Sequence, residues 1–371
     1  MRNDRRVASD ATIAPDSVGG ATYVAPMTQK RRDEDKGLAP EQFGELNRRF
    51  FTDKHGPHVF ILHRLRGALL AASGHEATKT AFADGLTVGT LTMSGDWADD
   101  EAADDDLEQF AALEAVVLFH HAAETLLRLT LALEEDAACP WLEVTRLRQP
   151  RVFPERVTEL MKRLHTDETQ DRLARIFYFR KDRNTPPEGI AEADWKDALD
   201  GITALLAECA RRYKLEGGLY NSAKHGLSAV QGHAGMSFGN AESGDPLVSA
   251  NGTSLTILEV KQRAADGRRQ WNETTHWIEA DRTFALTYLL AQQIRNLWLV
   301  ARRRYLSDPA DARLQPMSGS VLTELLHRNI PGDGPGYQFV VPSMSMSLLY
   351  FKEETVEPPP RRRSPNARKR R

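Results

Sequence analysis

One stretch constrains the fold more than any other. Residues 104–134, DDDLEQFAALEAVVLFHHAAETLLRLTLALE, keep helical spacing for about eight turns. Phe110, Leu113, Val116, Val117, Phe119, Ala123, Leu126, Leu127, Leu129 and Leu131 cover most of the circumference. A helix that is apolar nearly all round packs on several sides at once, so it predicts the central rod of a helical bundle. Asp104, Asp105 and Asp106 put negative charge at its start, where the helix dipole favours it.

The surrounding pattern supplies partners for such a rod. HVFILHRLRGALLAA, before residue 73, predicts a helix, and GLTVGTLTMSG alternates like a strand. Pro140 and Pro150 predict irregular chain. FPERVTELMKRLH, with Pro154 in its first turn, and DETQDRLARIFYF predict two more helices. Residues 192–213 carry Trp195, Ala198, Leu199, Ile202, Leu205, Leu206, Cys209 and Tyr213 at helical spacing, and Gly217–Gly218 predicts the stop. LTILEVKQRAA and RRQWNETTHWI flank Asp266–Gly267, which predicts a hairpin with a type I′ turn over 255–278. A long helix follows at about 280–306, and SMSMSLLYF alternates with period two. The expected fold is mainly α, a multi-helix bundle decorated by a small antiparallel hairpin or sheet. The expected organisation is a disordered segment 1–40, one helical domain 41–356 with a β insertion at about 230–279, and a basic disordered tail 357–371.

Charge is distributed unevenly. The 371 residues hold 49 Lys and Arg against 52 Asp and Glu, a formal charge of −3. Arg361, Arg362, Arg363, Arg368, Lys369, Arg370 and Arg371 crowd the last eleven positions, and without them the charge falls to −10. Such a tail is either a solvated end or a salt-sensitive arm for RNA or DNA phosphates. The opposite pole, Asp96–Glu108, carries eight carboxylates and no base, and reads as a loop running into a helix N-terminus. Two cysteines, Cys139 and Cys209, exclude a disulfide framework, and Cys209 falls on an apolar helical face. The N-terminal residues lack an apolar leader, and Phe284–Ala301 is interrupted by Gln292, Gln293, Arg295 and Asn296, which predicts a core helix rather than a membrane span. A cytoplasmic protein without membrane attachment is the expectation.

The motif with chemical content is LYNSAKHG, Leu219–Gly226. It resembles the motif of HEPN domains (higher eukaryotes and prokaryotes nucleotide-binding), in which a later helix opens with Leu, Arg, Asn, a few variable residues, His and often Gly. Leu219, Asn221, His225 and Gly226 match, and the resemblance covers about residues 104–305 with the hairpin as an insertion. In active members it implies metal-independent RNA cleavage, the His moving a proton at the ribose 2′-hydroxyl and the Arg stabilising phosphate charge. Tyr220 stands where that Arg would be, and Tyr supplies no permanent cation. The resemblance therefore implies a degenerate, non-catalytic module that binds nucleic acid, a nucleotide or a protein partner, with LYNSAKHG as an inter-helix lock in which Asn221 caps and His225 bonds a neighbouring helix. The alternative is an endoribonuclease of a bacterial defence or toxin–antitoxin type, with His225 as acid–base group, Asn221 positioning, and a surrogate Arg. A homodimer is implied as well, since such sites commonly form across one.

The surrogate comes from the central rod. His121, Glu124 and Arg128 lie within about 60° of each other on a helix and form a polar stripe on an apolar element. Either the stripe is a satisfied ion pair with a hydrogen-bonded His, or it faces His225 across a cleft with Arg128 as the missing cation beside Glu124. Lys224 is a candidate nucleic-acid contact beside His225. His121-x-x-Glu124 has ligand spacing but lacks the rest of a zinc pattern, so neither a metal nor a cofactor is expected. GDGPG at 332–336 reads as a turn, and GHAGMSFGNAESG as a Gly-rich loop, neither with a phosphate-loop signature.

Overall fold

The computed structural model describes residues 37–52, 56–74, 76, 80, 86–88, 91–93, 103–239, 246–262, 269–307, 313–327, 339–340 and 343–347. Its helices are α1 (Pro40–Phe50), α2 (Gly56–Ala72), α3 (Ala103–Glu134), α4 (Pro140–Arg146), α5 (Val152–Arg163), α6 (Asp167–Tyr178), α7 (Glu192–Leu215), α8 (Gly217–His225), α9 (Ala280–Leu306) and α10 (Gly319–His327). The strands are β1 (Leu86–Val88), β2 (Leu91–Met93), β3 (Ala229–Gly239), β4 (Pro246–Gln262), β5 (Arg269–Trp277), β6 (Phe339–Val340) and β7 (Ser343–Ser347). The chain is mainly α with a small antiparallel sheet, as its periodicities predict.

α3 is the central rod. α2, α7 and α9 pack along it. Ala111, Ala115, Leu118, Phe119, Ala122, Leu126 and Leu127 are buried against them. The small residues let neighbouring backbones approach, and the large ones fill the spaces between. By length and composition α3 is apolar enough to cross a membrane, and 61% of its most apolar window is buried in this fold. α9 carries the polar residues that interrupt its apolar run for a reason. Asn296 Nδ2 donates to the Gln315 carbonyl at 2.6 Å, the Gln315 amide donates to Asn296 Oδ1 at 3.1 Å, and Arg295 donates to the Arg313 carbonyl. Buried polar groups in this helix thus satisfy the backbone of the chain that crosses it.

α7 and α10 touch at two glycines. A Cβ on Gly201 would sit 2.9 Å from the Gly319 amide, and one on Gly319 would sit 2.8 Å from the Asp197 carbonyl. The crossing therefore tolerates no side chain at either position. Asp197 of α7 also caps α10, accepting from the Gly319 and Ser320 amides at 3.1 Å each.

The sheet has the order β3–β4–β5–β7, all antiparallel, with β6 added parallel to β4. Leu255 and Ile257 of β4 turn inward and form a second, smaller core with Val116 of α3 and Leu219 and Ala223 of α8. α8 is therefore clamped between the rod and the sheet, and this clamp sets which of its residues face a crevice.

Several expectations need correction. GLTVGTLTMSG forms two short paired strands, β1 and β2, rather than one. Pro140 does not mark irregular chain but opens α4, in the first turn where its missing N–H costs nothing. The Gly-rich stretch from Gly232 to Gly239 is not a loop but part of β3, paired along β4. α7 ends at Leu215, and Gly217 opens α8 instead of only terminating its predecessor. α1 begins at Pro40, inside the segment expected to be disordered. Residues 1–36 of that segment, the Asp266–Gly267 turn, GDGPG and the basic tail, with Arg361, Arg362, Arg363, Arg368, Lys369, Arg370 and Arg371, lie outside the described residues.

Candidate functional site

The polar stripe of α3 lies on the face bordered by α2 and α8, and the surface these three helices frame is the candidate crevice. Glu114, His121, Glu124 and Arg128 recur at intervals of seven, three and four residues, so one face of the rod presents all four. α2 crosses this face with Phe60 and Arg64, themselves one turn apart. Arg64 Nη2 donates to Glu114 Oε1 at 2.5 Å, and its Nη1 lies 3.1 Å from His121 Nδ1. Phe60 stands edge-on to the His121 ring at 6.0 Å and is 59% exposed.

These neighbours define the state of His121. Burial and the adjacent Arg64 guanidinium push its pKa below the usual 6.5, against the weaker pull of Glu124 and Glu114. The imidazole is therefore neutral at pH 7. Because Nδ1 accepts from the guanidinium, the ring proton resides on Nε2. The guanidinium on Nδ1 also opposes any cation at the His121–Glu124 spacing.

The preceding residue, His120, points the other way. His120 is 2% exposed and stacks on Tyr220 of α8 at 5.0 Å and 21°. Its Nε2 lies 3.5 Å from Glu216 Oε2 at the α7–α8 junction. Arg211 and Arg212 approach the same carboxylate at 3.7 and 4.0 Å. Both arginines also bind Glu208, where burial would raise the pKa but the two guanidiniums outweigh it and hold the group at about 2. A dense charge network thus fixes the junction from which α8 starts.

Tyr220 consequently faces the stripe. Burial raises its pKa, the Glu124 carboxylate adds to the rise, and Arg64 and Arg128 oppose it. Tyr213 of α7 is raised by burial and by Glu124 as well. Arg128 is held on three sides: Nη2 donates to Glu124 at 3.3 Å, Nη1 donates to the Leu147 carbonyl, and the guanidinium lies 3.9 Å from the Phe153 ring centre. Each guanidinium of the crevice is thus already neutralised by a carboxylate. The crevice offers aromatic faces, fixed donors and fixed acceptors, which suits a neutral heterocycle better than a bare phosphate.

The residues expected to act together do not all meet. Glu124 and Arg128 pair as their spacing predicts, and the stripe does face α8. It meets α8 at Tyr220, however, and not at His225. His225 is exposed at the last position of α8, before Gly226 turns the chain at φ 69°, and its side chain makes no hydrogen bond or ion pair among the described residues. The expected lock through His225 is replaced by Tyr220 on His120, with Leu219 and Ala223 buried beside them. Asn221 is exposed within the helix and caps nothing. Lys224 is exposed, with Nζ 5.3 Å from the Tyr220 ring centre. Phe60, Arg64 and Glu114 are site residues that sequence reasoning missed. The available signal was Arg64 one turn from Phe60 on an otherwise apolar helix, but only the crossing of α2 over α3 gives that pair a partner.

Comparisons of the chain with models of known protein families, with curated proteins and with solved structures find no match.

Proposed function

We propose that this chain is a HEPN-like helical module that binds a nucleotide or a single-stranded RNA segment without cutting it, in the crevice between α2, α3 and α8. The observation that carries this reading is the role of Tyr220. Where a nuclease of this type needs a cation, the chain has a half-buried ring stacked on His120 and within the fields of Glu124, Arg64 and Arg128. Phe60 supplies a second aromatic face at the crevice mouth. Bases stack on such faces for about 1–3 kcal/mol each. Arg64 and Arg128 offer donors to base edges, Glu114 and Glu124 offer acceptors, and Lys224 supplies positive charge beside the Tyr220 ring for a backbone phosphate. His225, exposed and without a paired cation among the described residues, lacks the partner that phosphate cleavage requires.

The test is binding of fluorescent single-stranded RNA, with nucleotides as competitors, to the full chain and three variants. Phe60→Ala and Arg64→Ala weaken binding roughly tenfold each, while His225→Ala leaves it unchanged. Binding indifferent to both crevice variants overturns the reading. RNA cleavage that vanishes in His225→Ala overturns it in favour of an endoribonuclease.

A further inference from the structure

Among the described residues, the sheet has an apolar face on which no other element packs. An antiparallel sheet with one face packed on a core turns polar side chains outward. Here Leu255 and Ile257 face inward and are buried, as the rule requires. The register puts Val230 of β3, Leu258 and Val260 of β4, Trp271 of β5 and Met346 of β7 together on the opposite face. All five are exposed, from 45% at Val260 to 70% at Val230. They are cross-strand neighbours, since Leu258 pairs with Glu273 beside Met346, and Val260 pairs with Trp271. Together they form one patch on the order of a few hundred Å², the size that marks an interaction site on a soluble protein.

Two charges on the same face indicate what covers it. Arg269 and Glu273 stand two residues before and two residues after Trp271, so all three point outward from β5. Neither side chain has an ion pair or hydrogen bond among the described residues. A face with opposite unpaired charges on either side of an apolar centre is complementary to itself. A two-fold axis lying between two such sheets and crossing the strands near Trp271 reverses β5 of one chain over β5 of the other. Val260 and Trp271, paired at the axis, then lie over their own copies in the partner, and Arg269 comes within side-chain reach of the partner's Glu273, twice by symmetry.

We propose that this outer sheet face is an isologous dimer interface whose occupant is a second copy of the chain. The two arginine–carboxylate pairs set the register, and the apolar patch supplies the driving force. The proposal is independent of the nucleotide crevice, which lies on the inner side of the sheet among α2, α3 and α8.

Sedimentation of the full chain without nucleic acid tests it. The unaltered chain is a dimer. Arg269→Glu and Glu273→Arg each weaken dimerisation roughly tenfold by opposing like charges, and the double reversal restores it. Leu258→Lys gives a monomer. All three positions are on the outer face, so the variants melt like the parent, and the charge reversals keep the test decisive if Leu258→Lys proves unstable. A monomer at concentrations well above micromolar overturns the proposal. So does a dimer indifferent to both single reversals, or a double reversal no better than the single ones.

Discussion

Tyr220 and His225 lie five residues apart on one short helix and have opposite fates. Tyr220 is half-buried between the rod and the crevice, stacked on His120 and within the fields of Glu124, Arg64 and Arg128. His225 ends the helix in solvent with no partner among the described residues. Five residues are about 500° of helical rotation, so the two side chains point some 140° apart. The contrast teaches that a motif read along the chain gives spacing, whereas the face a clamped helix presents is chosen by its buried residues. Here Leu219 and Ala223 are the anchors, and they turn Tyr220 toward the stripe.

The strongest way to break this comparison is to remove the ring. Tyr220→Ala takes away the stack on His120 and leaves a gap between α3 and α8. A loss of about 2 kcal/mol is expected, seen as a lower thermal midpoint. A variant as stable as the parent shows that α8 is held without the stack.

Acid sharpens the comparison next. His121 and His276 both have pKa values below 6.5, in each case because burial disfavours the imidazolium more than nearby carboxylates favour it. In the unfolded chain both titrate at the ordinary value. Stability is thus fully present above pH 6.5 and falls as the pH drops below it, since the unfolded state takes up protons that the folded state refuses. Glu208 adds a second stage, because its stabilising charge is lost between about 4.5 and about 2. Arg64→Met removes the cation beside His121, so the His121 pKa moves up toward 6.5 and the first stage shrinks. An NMR titration of the imidazole that stays put in Arg64→Met contradicts the assigned contact.

The smallest effect is expected at the residue that the motif emphasises most. His225→Ala changes stability by no more than about 0.5 kcal/mol. A larger loss means that the exposed imidazole has a partner in solution.

The long elements were legible in the residues. α3, α7 and α9 follow from 3.6-residue apolar spacing sustained over many turns, and β4–β5 from alternation, because each pattern repeats often enough to identify itself. β3 was not legible, since GHAGMSFG offers few side chains to alternate, and its strand character comes from pairing along β4. α4 was missed because Pro140 reads as a break unless its first-turn position is known. Within the site, the Glu124–Arg128 pair was legible as an i,i+4 spacing. Arg64 was not, because its partners are Glu114 and His121, fifty and fifty-seven residues away.

Local chemistry by itself determined which segments are helices, which are strands and which faces are apolar, because those properties repeat within a few residues of each other. Only the tertiary structure decided which polar groups meet. The rod's stripe became a crevice because α2 lies across it, and α8 shows it Tyr220 because the sheet presses Leu219 and Ala223 inward. Contacts of that kind join residues far apart in the chain, and no local period encodes them.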